Sequence, residues 1–276
     1  MSGYWNMNVN FHFHCRCSFD AEHPLTEMCA AASGAGLRHL CLTDHCDLVD
    51  EYGKPDDGWS WAAEDRELAE ARGAFPSLDL RRGIELGQAI LRPRAAERVL
   101  AEPGIDFVLG SMHNARTGED FYWVESADRR ACLELMEGYL LDLRALAETD
   151  FFDALAHLTY PIRYLRCRNG AEVDFREFSD LIREILRKLV HRGKALELNT
   201  SGWRQGVGAP LPDRWILELY RDLGGELITV GTDAHIPEDM AADLDRGGAL
   251  LTDLGFRYVT LYRERKPEMI KLEELS

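Results

Sequence analysis

Residues 9–20 read VNFHFHCRCSFD, and this segment combines a strand pattern with a dense set of metal-binding residue types. Three apolar side chains alternate with polar ones at the two-residue period of a β-strand, so His12 and His14 are expected on the same strand face. Two imidazoles in this arrangement can reach one cation. A hydrogen-bonded pair of core histidines explains the motif equally well when it is taken alone.

The length and composition are sufficient for one large core. The chain has 276 residues, of which 46% are hydrophobic, and α/β barrels commonly contain about 250 residues in one domain. We therefore expect residues 1–276 to form a single domain. No run approaches the roughly 20 apolar residues of a membrane span, and residues 1–10 lack the basic and apolar regions of a signal peptide. We expect no membrane partner.

The cysteines and the charge narrow the class of protein further. The seven cysteines are an odd number, and five of them lie in or near strand and helix patterns, namely Cys15, Cys17, Cys41, Cys46 and Cys132. This distribution favours reduced thiols in the cytoplasm over a disulfide framework. Cys15 and Cys17 have a spacing that can bind zinc, but no second pair follows, so a packing role is favoured. The formal net charge of −16 disfavours a long nucleic acid as partner. A small anion held by metal ions is compatible with it.

Apolar strand-like runs alternate with amphipathic helix patterns along the chain. Strands are predicted at 9–14, 39–45, 78–87, 107–113, 153–157, 195–200, 227–235 and 258–262. Helices are predicted at 25–35, 93–100, 128–148, 175–191, 212–223 and 239–254, with Pro212 as the first residue of its helix. The polar segment 47–62 is expected to be a loop that covers a site. This alternation predicts a parallel α/β sheet, and a barrel of this kind carries its chemistry at the C-terminal strand ends.

Metal-binding residue types recur at those strand ends, namely His12, His14, Asp44, His45, Glu85, His113, His157, Glu197, Asp233 and His235. Six of the nine histidines are in this set, which chance does not readily explain. Imidazole and carboxylate donors suit zinc, manganese or iron. The donors are too many for one ion and suffice for two or three ions about 3.5–4 Å apart. Glu85 is the expected bridge, because a carboxylate has two oxygens to share.

The combined motifs resemble the PHP (polymerase and histidinol phosphatase) family of metal-dependent phosphoesterases. The shared motifs are HxH on the first strand, TDH on the second, Glu85 after the third, single histidines on the fourth and fifth, and DAH on the seventh. The phrases GSMHN, AHLTYP, ELNTSGWR and GTDAH resemble its histidinol-phosphatase branch. The resemblance extends from residue 9 to about residue 235. It implies a distorted (β/α)7 TIM-like barrel and a phosphatase that converts L-histidinol phosphate to L-histidinol and phosphate in histidine biosynthesis.

The same resemblance implies two to three divalent transition metals (Zn, Mn or Fe). Their expected ligands fall into three groups: His12, His14, Glu85 and Asp233; Glu85, His113 and His157; and Asp20, His45 and His235. Asp20 stands where some members have His, which would alter the preferred metal without removing the site. Asp44 is expected to orient His45. Two cations lower the pKa of a bridging water, so that a hydroxide can attack phosphorus near neutral pH.

The remaining expectations concern the substrate. Asp233, His235 and Arg163 are the expected catalytic residues, and Arg163 and Arg204 are expected to bind phosphate, because a guanidinium fork matches phosphoryl oxygens. Either arginine is also explained as a surface residue with a buried stem. The loop 114–125 carries Glu119, Asp120 and Glu125 beside three aromatic residues, a combination suited to a cationic amine and imidazole. A solvated loop explains it nearly as well.

Three other functions fit parts of the pattern. Amidohydrolases also begin a barrel with HxH, but they usually bridge their metals with a modified lysine, and none of the five lysines here is suitably placed. A PHP phosphodiesterase or phosphatase acting on a nucleotide or another small phosphorylated metabolite would use the same ligands. A non-catalytic metal-binding module would have the ligands without a phosphate clamp.

Overall fold

In the computed structural model, which describes residues 7–275, a parallel sheet closes into a barrel. Its strands are β1 (Val9–Asn10), β2 (His39–Leu42), β3 (His45–Asp47), β4 (Asp79–Gly87), β5 (Phe107–Ser111), β6 (Ala154–Leu155), β7 (Ala195–Asn199) and β8 (Ile228–Gly231). The spatial order is β1-β2-β4-β5-β6-β7-β8. Both β2 and β3 pair in register with β4, so they are two parts of one barrel strand. The predicted (β/α)7 barrel is confirmed.

The barrel closes between the first strand and the last. The backbone N–H of Phe11 donates to the carbonyl of Val230 at 2.9 Å, and that of His14 donates to Ala234 at 2.8 Å. Gly231 makes this approach sterically feasible, since a Cβ at that position would lie 2.2 Å from the Cβ of His12. Closure brings the HxH segment beside the DAH segment.

Helices and one hairpin complete the chain. They are α1 (Leu25–Gly34), α2 (Trp61–Ala74), α3 (Pro93–Leu100), α4 (Arg129–Leu146), α5 (Ser179–Arg192), α6 (Ser201–Arg204), α7 (Arg214–Asp222), α8 (Leu244–Asp253), β9 (Tyr258–Arg263) and β10 (Lys266–Lys271). In α5 the buried residues Ile182, Ile185, Leu186 and Leu189 recur at helical spacing and form one apolar stripe.

Several elements differ from the sequence prediction, among them α2, β10, the start of α7 and the short helix α6, which was not predicted. Helix α2 was not predicted, because glutamates occupy part of its buried face and weaken the apolar period. Strand β10, which completes an antiparallel hairpin with β9, is mostly exposed and was also missed. Pro212 does not begin α7: the Leu211–Pro212 peptide is cis, and Asp213 caps the helix.

The prediction that the chain has no membrane span can be compared with the helices of the described residues. None of the helices within residues 7–275 has both the length and the apolar character to cross a bilayer. Residues 1–6, which make up much of the segment where a signal peptide was not expected, lie outside the described part of the chain.

Candidate metal centre

Nine side chains meet at the C-terminal end of the barrel, and we call them the histidine centre. They are His12, His14, Asp20, His45, Glu85, His113, His157, Asp233 and His235, the residues that the sequence pattern indicated as ligands. Several sets of three have their donor atoms within 4.8 Å of one another. They come together because the carboxyl ends of parallel strands meet at one end of a barrel.

Glu85, at the end of β4, lies at the middle of the histidine centre and is fully buried. Its Oε2 is 3.1 Å from Nε2 of His12. Its Oε1 is 2.8 Å from Nε2 of His157 and 3.1 Å from Nε2 of His113. The two oxygens of one carboxylate therefore face different imidazoles, which is the geometry expected of a bridging ligand.

Asp233 completes the group formed by His12 and His14. The two Nε2 atoms are 3.2 Å apart, and Asp233 Oδ1 lies 3.6 Å from the first and 3.4 Å from the second. Asp233 has a φ of 55°, in the left-handed region that few residues other than glycine adopt. This conformation places its carboxylate among the imidazoles.

Asp20 joins the third group from the loop after the first strand. Its Oδ2 is 3.1 Å from Nε2 of His235 and 3.6 Å from Nε2 of His45. The His14 ring stacks on both of these imidazoles, with ring centroids 4.1 Å and 4.3 Å apart. His14 thus lies between the first and third groups, an arrangement that the sequence did not indicate.

Neighbouring carboxylates raise the pKa of His12, His45 and His113 despite their burial, so a metal bound there would displace protons, whereas two carboxylates and His14 already have the form that a metal binds. Burial alone would raise the pKa of Glu85, but the neighbouring histidines hold it well below its usual value. The pKa of Asp233 is also held well below its usual value, because the neighbouring histidines and Arg163 together outweigh its burial. Burial lowers the pKa of His14, and the adjacent His235 and His45 lower it further. Ionised carboxylates beside a neutral imidazole are the form that divalent metals bind.

Two buried nitrogens support the same interpretation. Nδ1 of His45 and Nε2 of His235 lie near carboxylates without a directional hydrogen bond to any described residue. A buried polar atom without a hydrogen bond is costly unless something else compensates it. The donor set therefore fits metal ions.

The outward-facing nitrogens of three histidines have partners that hold the rings in place. The pairs are His12 Nδ1 with Glu197 Oε1 at 2.6 Å, His14 Nδ1 with Ser18 Oγ at 3.0 Å, and His113 Nδ1 with Asp47 Oδ2 at 3.1 Å. Such contacts fix ring orientation and leave the Nε2 lone pair free for a metal. Neither Ser18 nor Asp47 was predicted from the sequence to have a role, although the position of Asp47 at a strand end could have indicated one.

Asp44 acts on a different histidine from the one predicted. Its Oδ1 accepts from the backbone N–H of Cys15 at 2.6 Å and from the Ser18 hydroxyl at 2.9 Å. Because Ser18 gives its proton to Asp44, it accepts one from Nδ1 of His14. The carboxylate makes no hydrogen bond to the His45 side chain, so the predicted orienting role applies to His14.

A cavity of about 620 Å³ opens above the histidine centre. Its lining includes metal-ligand candidates, aromatic residues and a set of acids, namely Asp47, Asp50, Glu51, Asp56 and Asp120. Arg163 is the one lysine or arginine among the lining residues that the structure describes. Ligand pockets typically have volumes of roughly 300–1,000 Å³, so a small metabolite fits.

Arg163 begins a short π-helical segment, Arg163–Arg168, and its guanidinium reaches the centre. Nη2 donates to Ser201 Oγ at 2.7 Å and lies 3.4 Å from Asp233 Oδ2. The buried Nε has no hydrogen-bond partner among residues 7–275. Burial alone would lower the pKa of Arg163, but the charge of Asp233 raises it, so the side chain stays cationic. It has spare donors for an anion.

Arg204 is placed differently from its prediction, outside the lining of the cavity. Its Nη1 and Nη2 donate to the carbonyls of Thr232 and Asp233 at 2.6 Å and 2.8 Å, and Nε donates to Asp239 at 2.8 Å. All of its nitrogens are engaged. We therefore replace the predicted phosphate contact by a structural one: Arg204 supports the segment that presents Asp233.

Replacing Arg204 by Ala is expected to lower the free energy of unfolding by about 2–4 kcal/mol, because it removes charge-assisted bonds to buried carbonyls. Urea unfolding of the metal-free protein measures this change. Arg246→Ala is the control, since that exposed guanidinium stacks over Trp203 nearby and makes only a surface ion pair with Asp243 at 3.7 Å. A phosphate-binding Arg204 without a structural role would predict nearly unchanged stability.

The acids predicted in the loop 114–125 separate into two classes. Asp120 lines the cavity, where its Oδ1 accepts from the Tyr160 hydroxyl at 3.1 Å. Glu119 and Glu125 are exposed and do not line it. The predicted substrate contact is therefore withdrawn for these two glutamates and kept for Asp120. Acids of the segment 47–56 line the cavity instead.

Comparisons with known proteins agree with this geometry. A model of the PHP domain matches residues 10–201. A probable histidinol-phosphatase of Thermotoga maritima is 31% identical over 253 residues, covering 92% of this chain and 95% of that protein. The histidinol-phosphatase of Lactococcus lactis is 24% identical over 273 residues, covering 94% and 95%.

The fold has a close counterpart among solved structures. The crystal structure of the histidinol phosphate phosphatase from Lactococcus lactis, complexed with zinc, L-histidinol and phosphate, matches with a TM-score of 0.79. The match covers 95% of this chain and 99% of that chain at 24% identity. Because the domain model spans more than half of the chain and the Thermotoga relative aligns over nearly all of it, this chain belongs to the PHP family.

Proposed function

We propose that the protein is a metal-dependent phosphomonoesterase that hydrolyses L-histidinol phosphate to L-histidinol and phosphate, a reaction of histidine biosynthesis. The observation that carries the proposal is the Glu85 carboxylate, which lies between two sets of imidazoles beneath a cavity containing one guanidinium. The names of the curated relatives support the choice of substrate.

Two to three divalent ions of the zinc, manganese or iron type would be held by the histidine centre. The proposed groups are His12, His14, Glu85 and Asp233; Glu85, His113 and His157; and Asp20, His45 and His235. When bound, such ions supply an acidic water near neutral pH and offset the charge of phosphoryl oxygens. The outward-facing contacts of the histidines hold their lone pairs toward the ions.

Arg163 is proposed to bind the phosphate through nitrogens that its protein contacts leave free. Ser201 and Asp233 hold one edge of the guanidinium. The Tyr160 ring lies beneath it, with its centroid 5.3 Å from Cζ. A charged, partly immobilised guanidinium stabilises developing negative charge at little reorganisation cost. Asp233 and His235 stay proposed catalytic residues with Arg163, because all three line the cavity at the histidine centre.

The acidic cavity wall suits the organic part of the substrate. L-Histidinol has an amine and an imidazole, both of which can be cationic. Asp120 is half-buried beside Tyr160, and its partial burial raises its pKa, a cost that a cationic partner would offset. Tyr122 and Trp123 line the same cavity and offer aromatic faces for a ring or a cation.

We expect L-histidinol phosphate to be hydrolysed with the highest kcat/KM among small phosphomonoesters. Asp120→Asn should lower kcat/KM for this substrate by roughly 10- to 100-fold, the value of a lost charge-assisted contact. An uncharged phosphoester should be affected much less. Rates of phosphate release from a panel of substrates, with manganese or zinc supplied, measure both effects.

Glu119→Gln is the matched control, since it removes a neighbouring acid that does not line the cavity. Its kinetics should equal those of the wild type. Equal kcat/KM values across the panel, or a preference for a nucleotide or sugar phosphate, would exclude L-histidinol phosphate as the substrate. The proposal of a metal-dependent phosphoesterase would still stand.

We also propose that residues 1–276 act as one PHP domain in a reducing compartment such as the cytoplasm. The unpaired state of all seven cysteines supports that location.

A further inference from the structure

A second cluster of metal-binding side chains lies beside the histidine centre, in the loop that follows the first strand. Cys15 Sγ, Cys17 Sγ and a carboxylate oxygen of Asp44 are all within 4.8 Å of one another. Cys15 Sγ donates to Asp44 Oδ2 at 3.0 Å. Because Asp44 Oδ1 accepts from Cys15 N–H and Ser18, Oδ2 is the oxygen that would become available once the thiol loses its proton.

A buried acid without a partner points to a missing cation. Glu64 is fully buried, and neither of its oxygens has a hydrogen-bond partner among the described residues. Burial raises the pKa of Glu64 well above its usual value, the charges of Asp44 and Cys17 raise it further, and the charge of Arg82 offsets only part of this increase. An uncompensated buried carboxyl is costly in free energy, and a cation bound nearby would offset that cost.

The orientation of α2 supports this placement of Glu64. Glu67, one turn later on the same helix, accepts from the backbone N–H of Leu25 at 2.9 Å and from Nε of Arg16 at 2.8 Å. Residues three apart share a helix face, so Glu64 also faces the loop that carries the cysteines. Glu67 is neutralised by Arg16, whereas the oxygens of Glu64 lack such a partner.

We propose that Cys15, Cys17 and Asp44 form a separate site for one thiophilic divalent cation such as Zn²⁺. Two sulfurs and one carboxylate oxygen would provide three of the four ligands that zinc prefers, and a water would supply the fourth. Binding would release the thiol protons to solvent. A disulfide between the cysteines would leave Glu64 uncompensated, whereas a bound cation would offset the buried charge of Glu64 from outside the ligand set.

The site has a route of entry and a structural consequence. Cys17 lines a small cavity of about 270 Å³, together with Trp59 and His45, through which an ion can reach the cysteines. Asp44 also holds Ser18, which contacts Nδ1 of His14. An ion at this site would therefore stabilise the loop that supports the histidine centre. It would not be one of the metal ions of the histidine centre.

The test uses cadmium as a thiophilic probe and sulfur ligation as the readout. Full-length protein is first loaded with manganese, which prefers oxygen and nitrogen ligands and fills the histidine centre. Cadmium is then titrated, and the ultraviolet sulfur-to-cadmium charge-transfer absorption is recorded. The histidine centre contains no thiol, so cadmium bound there does not give this absorption. We expect the signal to saturate at one equivalent.

Variants identify the ligands and the contribution of Glu64. Cys17→Ser should abolish the signal, and Glu64→Gln should weaken cadmium binding roughly tenfold or more. Cys167→Ser, which removes an exposed thiol, and Cys46→Ala, which removes a buried thiol beside the same small cavity, should both keep it. Circular dichroism of the metal-free Cys17→Ser protein checks that it is folded.

Three outcomes would overturn the proposal. They are no sulfur absorption at one equivalent, a signal that survives in Cys17→Ser, and unchanged cadmium affinity in Glu64→Gln. None of these results depends on whether the protein hydrolyses phosphoesters, so the test is independent of the proposed function.

Discussion

Replacing Glu85 by Ala is expected to remove more than one metal ion per chain and to reduce phosphoester hydrolysis to background. Its two oxygens face separate imidazole groups at 2.8–3.1 Å, so one substitution removes a ligand from two sites. It also leaves closely packed histidines without the buried charge that balances them. Metal analysis after gel filtration and assays with added manganese or zinc measure the two effects.

Asp153→Asn serves as the control for Glu85→Ala. Like Glu85, Asp153 is a buried acid. It lies just before β6, pairs with Arg265 and contributes no ligand atom to the histidine centre. Its metal content should match that of the wild type even if its stability falls. Full metal occupancy in Glu85→Ala would refute the bridging role, and loss of a single ion would place the bridge on another carboxylate.

Arg163→Ala is expected to lower kcat/KM by roughly 10²–10³-fold, which is typical for the loss of one preorganised donor to a developing oxyanion. Metal content should be nearly unchanged, because the guanidinium contacts Asp233 but is not a metal ligand. Arg163→Lys should restore little activity, since an ammonium does not reproduce the planar fork. Steady-state kinetics and metal analysis on the same preparations separate the two contributions.

The control for Arg163 is Arg166→Ala, in the same π-helical segment but outside the cavity lining. It should retain wild-type kinetics. Wild-type rates in Arg163→Ala would exclude this residue as the phosphate ligand, and loss of metal along with activity would assign it a purely structural role.

Much of the histidine centre was predictable because its residues lie at strand ends. A strand has a fixed period, and parallel strands in a barrel end on one side, so HxH, TDH, Glu85 and DAH converge whatever the loops do. The substrate contacts were less predictable. Arg204 and Arg163 each follow a strand-end motif, yet only Arg163 lines the cavity, because Arg204 is bonded to backbone carbonyls.

The sequence by itself indicated the alternation of strands and helices through periodicity and residue type, and its motifs implied the nine candidate ligands of the histidine centre through their resemblance to the PHP family. Only the tertiary structure decided what surrounds them: Ser18 behind His14, the acids of segment 47–56 at the cavity, and Cys15 against Asp44. These contacts join segments that are distant in sequence or lie in irregular loops. Their geometry depends on how helices and loops pack, which no local period encodes.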